Sequence, residues 1–342
     1  MKLGLQLGYW FAQPPVGVAE QVAEAERLGF DSAWTAEAWG SDCFTPLAWW
    51  ASQTTTMRWG TAICQLSART PTSAAMTAVT LDHLTGGRFA LGLGVSGPQV
   101  VEGWYGQPFP KPLARTREYV EVIRRVLRRD EPVEFHGDFY DLPVEGGLGL
   151  GKPLKSIVHP LRADLPIFLG AEGPKNVAMT AEIADGWLPI FYSPKLDDEY
   201  RGHLAEGFAR PGARRSPDDF ECVTTVNVVP GDDLEACADM VRPFLAFYIG
   251  GMGARDMNFH FDVFCRMGYE AEATKIQDLF MDGHRDDAIA AVPTAMVEDV
   301  ALVGPPEKIL DELHAWEETV VTTMLVAGPP EHLRRVAEIV LG

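Results

Sequence analysis

Residues 81–98 read LDHLTGGRFALGLGVSGP, and the fold is decided here. The stretch turns at Gly86-Gly87, runs through an apolar strand from Arg88 to Val95, and leaves through the small residues Ser96 and Gly97. A helix opening near Pro71 precedes it, so the local order is helix, turn, strand, turn. Repeated along a chain, that order is the signature of a parallel sheet with crossover helices.

The unit does repeat. On the amino-terminal side, a strand from Leu3 to Gly8 leads into a helix with Val18, Val22 and Ala25 on one face, which stops at Gly29. Strands follow at Ser32 to Glu37 and Arg58 to Gln65. On the other side come an amphipathic helix from Leu113 to Arg129, strands at Pro166 to Ala171 and Gly186 to Tyr192, and a strand at Glu221 to Val229. Gly304-Pro305-Pro306-Glu307 opens a helix with Ile309, Leu313 and Trp316 inward, and Thr322 to Ala327 is the last strand. Close to eight βα units predict an α/β fold, a closed (β/α)8 TIM barrel with insertions, whose chemistry sits at the carboxyl ends of the strands.

Length alone would suggest two domains, but such barrels often exceed 200 residues, so residues 1–342 are read as one. Two segments break the rhythm, at about 131–164 and 250–296. The first, Glu131 to Asp164, is rich in Gly and Pro and is expected to cover the barrel mouth; the second lies in a helical region from Leu234 to Val297 that is too long for one unit.

A net charge of -19 argues against nucleic acid and anionic membranes as partners. No run approaches 18 apolar residues and the amino terminus enters a strand at once, so neither a membrane span nor a signal peptide is expected. The five cysteines are odd in number and scattered, and the eight histidines show no paired spacing. The chain is therefore expected in a reducing cytoplasm, with no metal site.

The strand ends collect Tyr9, Trp10, Glu37, Trp39, Cys64, Gln65, Ser96, Gly97, Glu172, Phe191 and Tyr192, a set rich in aromatic side chains. Such walls suit a flat heteroaromatic ligand better than a sugar or a metal.

With those ends in place, the chain resembles a known family. LGLQLGYW (3–10), EAERLGFDSAWTAEAW (24–39), GTAICQLSARTP (60–71), LDHLTGGRFALGLGVSGPQV (81–100), FLGAEGPKNV (168–177), AEIADGWLP (181–189) and VGPPEKILDEL (303–313) look like luciferase-like monooxygenases, in particular their coenzyme F420-dependent branch. The resemblance implies an F420-dependent oxidoreductase that passes a hydride between a deazaflavin and a small organic substrate. An FMN-dependent monooxygenase and a non-catalytic flavin-binding barrel are the alternatives, and a homodimer or higher homo-oligomer is implied. It also implies a cis peptide at Ala62-Ile63, backing the cofactor ring, with Val95, Ser96 and Gly97 touching the ring. The acid-base residues of the branch's sugar-phosphate dehydrogenases are missing, because Glu37-Ala38 and Gly97 stand at those positions. Glu37 is the nearest carboxylate and the candidate catalytic group, with Gln6, Tyr9 and Trp39 as candidate substrate-pocket residues.

The cofactor phosphate is expected at Gly170, Ala171, Glu172, Gly173, Pro174 and Lys175, where a strand passes through small residues straight into a helix. Free N–H groups and the positive end of a helix dipole favour an anion there. Lys152, Lys155 and Arg162 near the same strand, with Arg115 and Arg117, are the candidate supporting cations.

Overall fold

A computed structural model describes all 342 residues. The barrel strands, in chain order, are Lys2–Gly8, Ser32–Thr35, Arg58–Thr61, Phe89–Gly94, Ile167–Leu169, Gly186–Trp187, Glu221–Thr225 and Thr323–Val326. Each pairs in parallel with its neighbours, and Arg58–Thr61 meets Phe89–Gly94 at Trp59 with Phe89 and Gly60 with Ala90, which closes the ring. The closed eight-stranded barrel is the expected architecture.

Side chains alternate between two packings. Leu3, Leu5, Ala33, Leu91, Ile167 and Leu169 face the surrounding helices, whereas Trp34, Ala90, Phe168, Leu188, Val223 and Leu325 fill the barrel. Trp34 and Phe168 meet edge to face, with centroids 5.4 Å apart. A side chain at Gly92 would not fit, because its Cβ would lie 1.7 Å from the Thr61 carbonyl oxygen. Thr61 Oγ1 donates to the Gly92 carbonyl at 2.7 Å and accepts from the Gly92 N–H at 3.0 Å, so glycine lets the two strands close.

The seventh strand is not continuous. It leaves the barrel at Val226, and Asn227–Pro230 pairs in parallel with Ala301–Gly304, a strand missed in the sequence because its four residues sit between a helical region and a Pro-rich helix start. The helices Phe44–Ala51, Asp197–Phe208 and Pro330–Val340 also carried no clear sequence signal.

The first insertion does not take the place expected of it. Residues 131–164 follow the helix Pro112–Arg128 and precede the strand Ile167–Leu169, so they begin and end at the amino-terminal face of the barrel. Arg129 Nε donates to the Ser156 carbonyl, and Arg162 reaches Asp82 and the Phe89 carbonyl at the start of the fourth strand. The middle climbs the outer flank of the helix, where Glu118 accepts from the N–H groups of Asp138 and Phe139. This segment does not roof the mouth, correcting the expectation.

The mouth is roofed instead by the region after the seventh strand, because only a strand-to-helix connection starts at that face. It contains the helices Leu234–Gly251, Phe259–Arg266, Glu270–Met281, Arg285–Ala290 and Thr294–Glu298, which share their own core of Leu245, Ile249, Phe264, Ile276 and Met296.

Candidate active site

The floor of the mouth is Ile63. Its side chain lies so close to the fourth and fifth strands that a Cβ at Gly94 would stand 2.8 Å from Ile63 Cδ1, and one at Gly170 would stand 3.1 Å from Ile63 Cγ2. Small residues therefore leave a shallow well above an isoleucine. The Ala62-Ile63 peptide is cis, as expected. Strand pairing resumes just beyond it, where Cys64 and Gln65 pair with Leu93 and Gly94. The fourth strand leaves the well through Val95 and Ser96, and Ser96 takes a left-handed φ of 58° before Gly97 starts the helix Pro98–Gly103.

Two buried amide oxygens at this level have no partner, Gln6 Oε1 on the first strand and Gln65 Oε1 beside the floor. The Gln65 amide nitrogen is used, donating to the carbonyls of Glu37 and Ala38 at 3.1 and 3.2 Å. A buried unpaired acceptor costs about 1–3 kcal/mol, so both oxygens would gain from a donor brought to them.

Glu37 is committed elsewhere. Its carboxylate accepts from Arg69 at 2.6 and 3.2 Å, from the Gln65 N–H at 2.8 Å and from the Cys43 N–H at 3.3 Å. With its side chain 3% exposed and both oxygens occupied, Glu37 positions the end of the third strand and is not a free base. Arg69 Nη1 also contacts Cys64 Sγ at 3.0 Å, which places Glu37, Cys43, Cys64 and Arg69 in one buried cluster. The guanidinium already binds two of these three candidate ligands, Glu37 and Cys64.

Of the other expected pocket residues, Tyr9 sits under the helical roof, where burial raises its phenol and Tyr248 bonds to it. Trp39 is 45% exposed, and Gly40 after it lies against the Trp10 carbonyl and the Tyr9 ring. The roof adds Tyr248, His260 and Phe264, which no sequence signal marked. Phe191 packs against Phe264 at 4.9 Å and Tyr248 at 5.5 Å, and Tyr248 meets His260 at 5.0 Å. Burial pushes the His260 imidazole down to about 4, and its Nδ1 has no partner. The ring is neutral at physiological pH.

At the end of the fifth strand, Gly173 caps the helix Pro174–Ile183 with no side-chain bond of its own, and a Cβ there would meet nothing within 4 Å. The helix start is open. Glu172 turns away from it, accepting from the Ile190 N–H at 3.1 Å, while Arg266 from the roof donates to the Glu172 carbonyl at 2.9 Å. Arg266 is thus the cation brought to this loop, and only the tertiary fold shows it. The supporting cations expected from sequence lie elsewhere: Arg162 and Lys155 bind Asp82 and the Asp130 carbonyl, Arg117 binds Glu182, and Arg115 binds Tyr140 and Ser67. Lys175 remains exposed in the first turn.

Burial pushes the Glu172 carboxyl up to about 8, with the Ile190 N–H and Arg266 opposing. A carboxyl raised on folding holds its full stability contribution below its unfolded pKa of about 4 and loses it as pH climbs through the folded value. Wild type should therefore weaken relative to Glu172→Gln between about pH 4.5 and pH 8, then run parallel to it. Urea midpoints of the two proteins across that range measure the effect, and a constant difference would place the carboxyl in water.

The barrel, the glycine-lined well over Ile63 and the open helix start define a luciferase-like barrel. A family model for the luciferase-like monooxygenases matches residues 8–323, and the chain belongs to that family of oxidoreductases. It is 59% identical, over 99% of both chains, to a Mycobacterium tuberculosis protein whose name proposes a coenzyme F420-dependent oxidoreductase. It is 26% identical to the 5,10-methylenetetrahydromethanopterin reductase of Archaeoglobus fulgidus, over 90% of this chain and 87% of that one. The solved coenzyme F420-dependent tetrahydromethanopterin reductase of Methanopyrus kandleri shares the fold, with a TM-score of 0.81, 23% identity, and coverage of 99% of this chain and 98% of that one.

Proposed function

We propose that this protein is an F420-dependent oxidoreductase that passes a hydride between the deazaflavin and a small organic substrate held under the helical roof. The strand ends around Ile63 carry the reading, since Ala62, Ile63, Val95, Ser96 and Gly97 stay partly exposed at the mouth and two buried amide oxygens at that level have no partner. When bound, the deazaflavin supplies the carbon that accepts or releases the hydride. Ala62, Ile63, Val95, Ser96 and Gly97 would hold its ring, and Gln6 and Gln65 would accept from ligand N–H groups.

Gly173, Pro174 and Lys175, with Arg266 behind them, would hold the phosphate at the helix start. Phe191, Tyr248 and Phe264 exclude water from the reacting atoms, and neutral His260 and Tyr9 offer the polar groups nearest the substrate space. No group here matches the missing acid-base pair. The protein's part in the chemistry is to orient and shield.

Titrating the protein with oxidised F420 and with FMN, followed by fluorescence, tests the assignment. Tighter binding of F420 and oxygen-independent turnover are the expected results. Preference for FMN with oxygen consumption would make the protein a monooxygenase, and cofactor binding without any turnover would make it a binding barrel.

A further inference from the structure

We propose that Cys43 and Cys64 form a reversible disulfide when the protein meets hydrogen peroxide, and that this bond closes the cofactor well. The juxtaposition is what long sequence spacing hides. The two sulfurs and a Glu37 carboxylate oxygen all lie within 4.8 Å of one another, and both cysteines are fully buried. Cys222 is buried in the barrel core, Cys237 in the roof core, and Cys265 lies on the roof helix Phe259–Arg266, so Cys43 and Cys64 stand apart as a pair.

The surroundings fit the chemistry. Arg69 Nη1 touches Cys64 Sγ at 3.0 Å, so a cation stands against the sulfur where negative charge builds as it attacks or is attacked. The Arg69 side chain that touches that sulfur is itself 19% exposed, so one residue links the buried pair to solvent. Cys64 is the first target, because the Arg69 guanidinium stands against its sulfur.

In the first step Cys64 Sγ bonds to one peroxide oxygen, the O–O bond breaks, and one water leaves behind a sulfenic acid. In the second, Cys43 Sγ attacks that sulfur, the S–S bond forms and the S–O bond breaks. The Cys43 proton goes to the departing hydroxide, giving a second water. Two thiols are oxidised by two electrons and one peroxide is reduced to two waters.

Coupling to the site follows from position and rests on the function proposed above. Cys64 directly follows Ile63, the floor of the well, and Cys43 caps the helix Phe44–Ala51. Drawing the sulfurs to the disulfide length of about 2.05 Å pulls the end of the third strand toward that helix. It also displaces Arg69 from Cys64 and disturbs the bonds Glu37 makes to the Gln65 and Cys43 N–H groups.

The test treats the whole cofactor-free protein with hydrogen peroxide and analyses a non-reducing tryptic digest by mass spectrometry. A species joining the Cys43 and Cys64 peptides, two hydrogens lighter than their sum and lost on adding dithiothreitol, is expected. F420 affinity should fall about tenfold or more in the oxidised protein and recover on reduction, while peroxide-treated Cys43→Ser should keep the affinity of untreated Cys43→Ser. Sulfinic acid on Cys64 without linkage, or two unchanged thiols, overturns the disulfide; linkage with unchanged F420 affinity overturns the coupling. The linkage measurement needs only wild type, so it stands if the variant does not fold. Failure of the reduced wild type to bind F420 would refute the proposed function separately.

Discussion

Gly173→Trp should cost about a hundredfold in F420 affinity while leaving the protein as stable as its parent. The position combines two properties rarely found together. A Cβ at Gly173 meets nothing within 4 Å, and the backbone there is extended, with φ of -87°, so the folded protein accepts a side chain without strain. The same open space lies before the Gly173 and Lys175 N–H groups, which make no bond, whereas Asn176 and Val177 already donate to the Gly173 carbonyl; an indole in it would bar an anion from the two free groups.

Charge-assisted hydrogen bonds are worth about 1.5–3 kcal/mol each, and two of them account for a hundredfold. Isothermal titration with F420 and with FMN should show losses of similar size, since the two ligands share the phosphate. Lys175→Ala is the companion measurement: its smaller loss should be larger at low salt than at high salt, as for an exposed charge. Parent-like binding by both variants would move the phosphate away from this loop.

The second large effect concerns stability. Asp185, 5% exposed, joins the fifth and sixth strands at the amino-terminal face: Oδ2 accepts from buried Arg124 and from the Ile167 N–H at 2.8 Å, and Oδ1 accepts from Arg214 and Arg215 at 2.6 and 2.7 Å. Asp185→Ala would leave an unpaired guanidinium inside the protein beside two others. Removing one partner of a buried pair costs about 3 to 5 kcal/mol, because the charge left behind stays desolvated. Urea unfolding should show a loss of that size, and the double variant Asp185→Leu with Arg124→Met should recover much of it. A loss below about 1 kcal/mol would mean that water reaches Arg124.

Much of the fold was legible because it rests on local patterns. Glycine turns, apolar runs and helical periodicity repeat once per βα unit, and a sequence carries such patterns without regard to distant partners. The site was legible where it rests on the main chain, at the cis Ala62-Ile63 peptide. Composition alone also made the net charge of -19 plain.

What the sequence could not show was each feature decided by which face of the barrel a segment reaches. Residues 131–164 had the composition of a lid, yet they lie between a helix and the next strand, and that connection begins and ends at the face opposite the mouth. The true roof follows the seventh strand, and it brings Arg266, Tyr248 and His260 to a site whose other residues lie far away along the chain. Glu37 looked like a free carboxylate until the fold set Arg69 against it, 32 residues on, with Cys43 and Cys64 beside the pair. Local periodicity determined the barrel; its closure, which joins distant strand ends in three dimensions, decided what its polar groups can do.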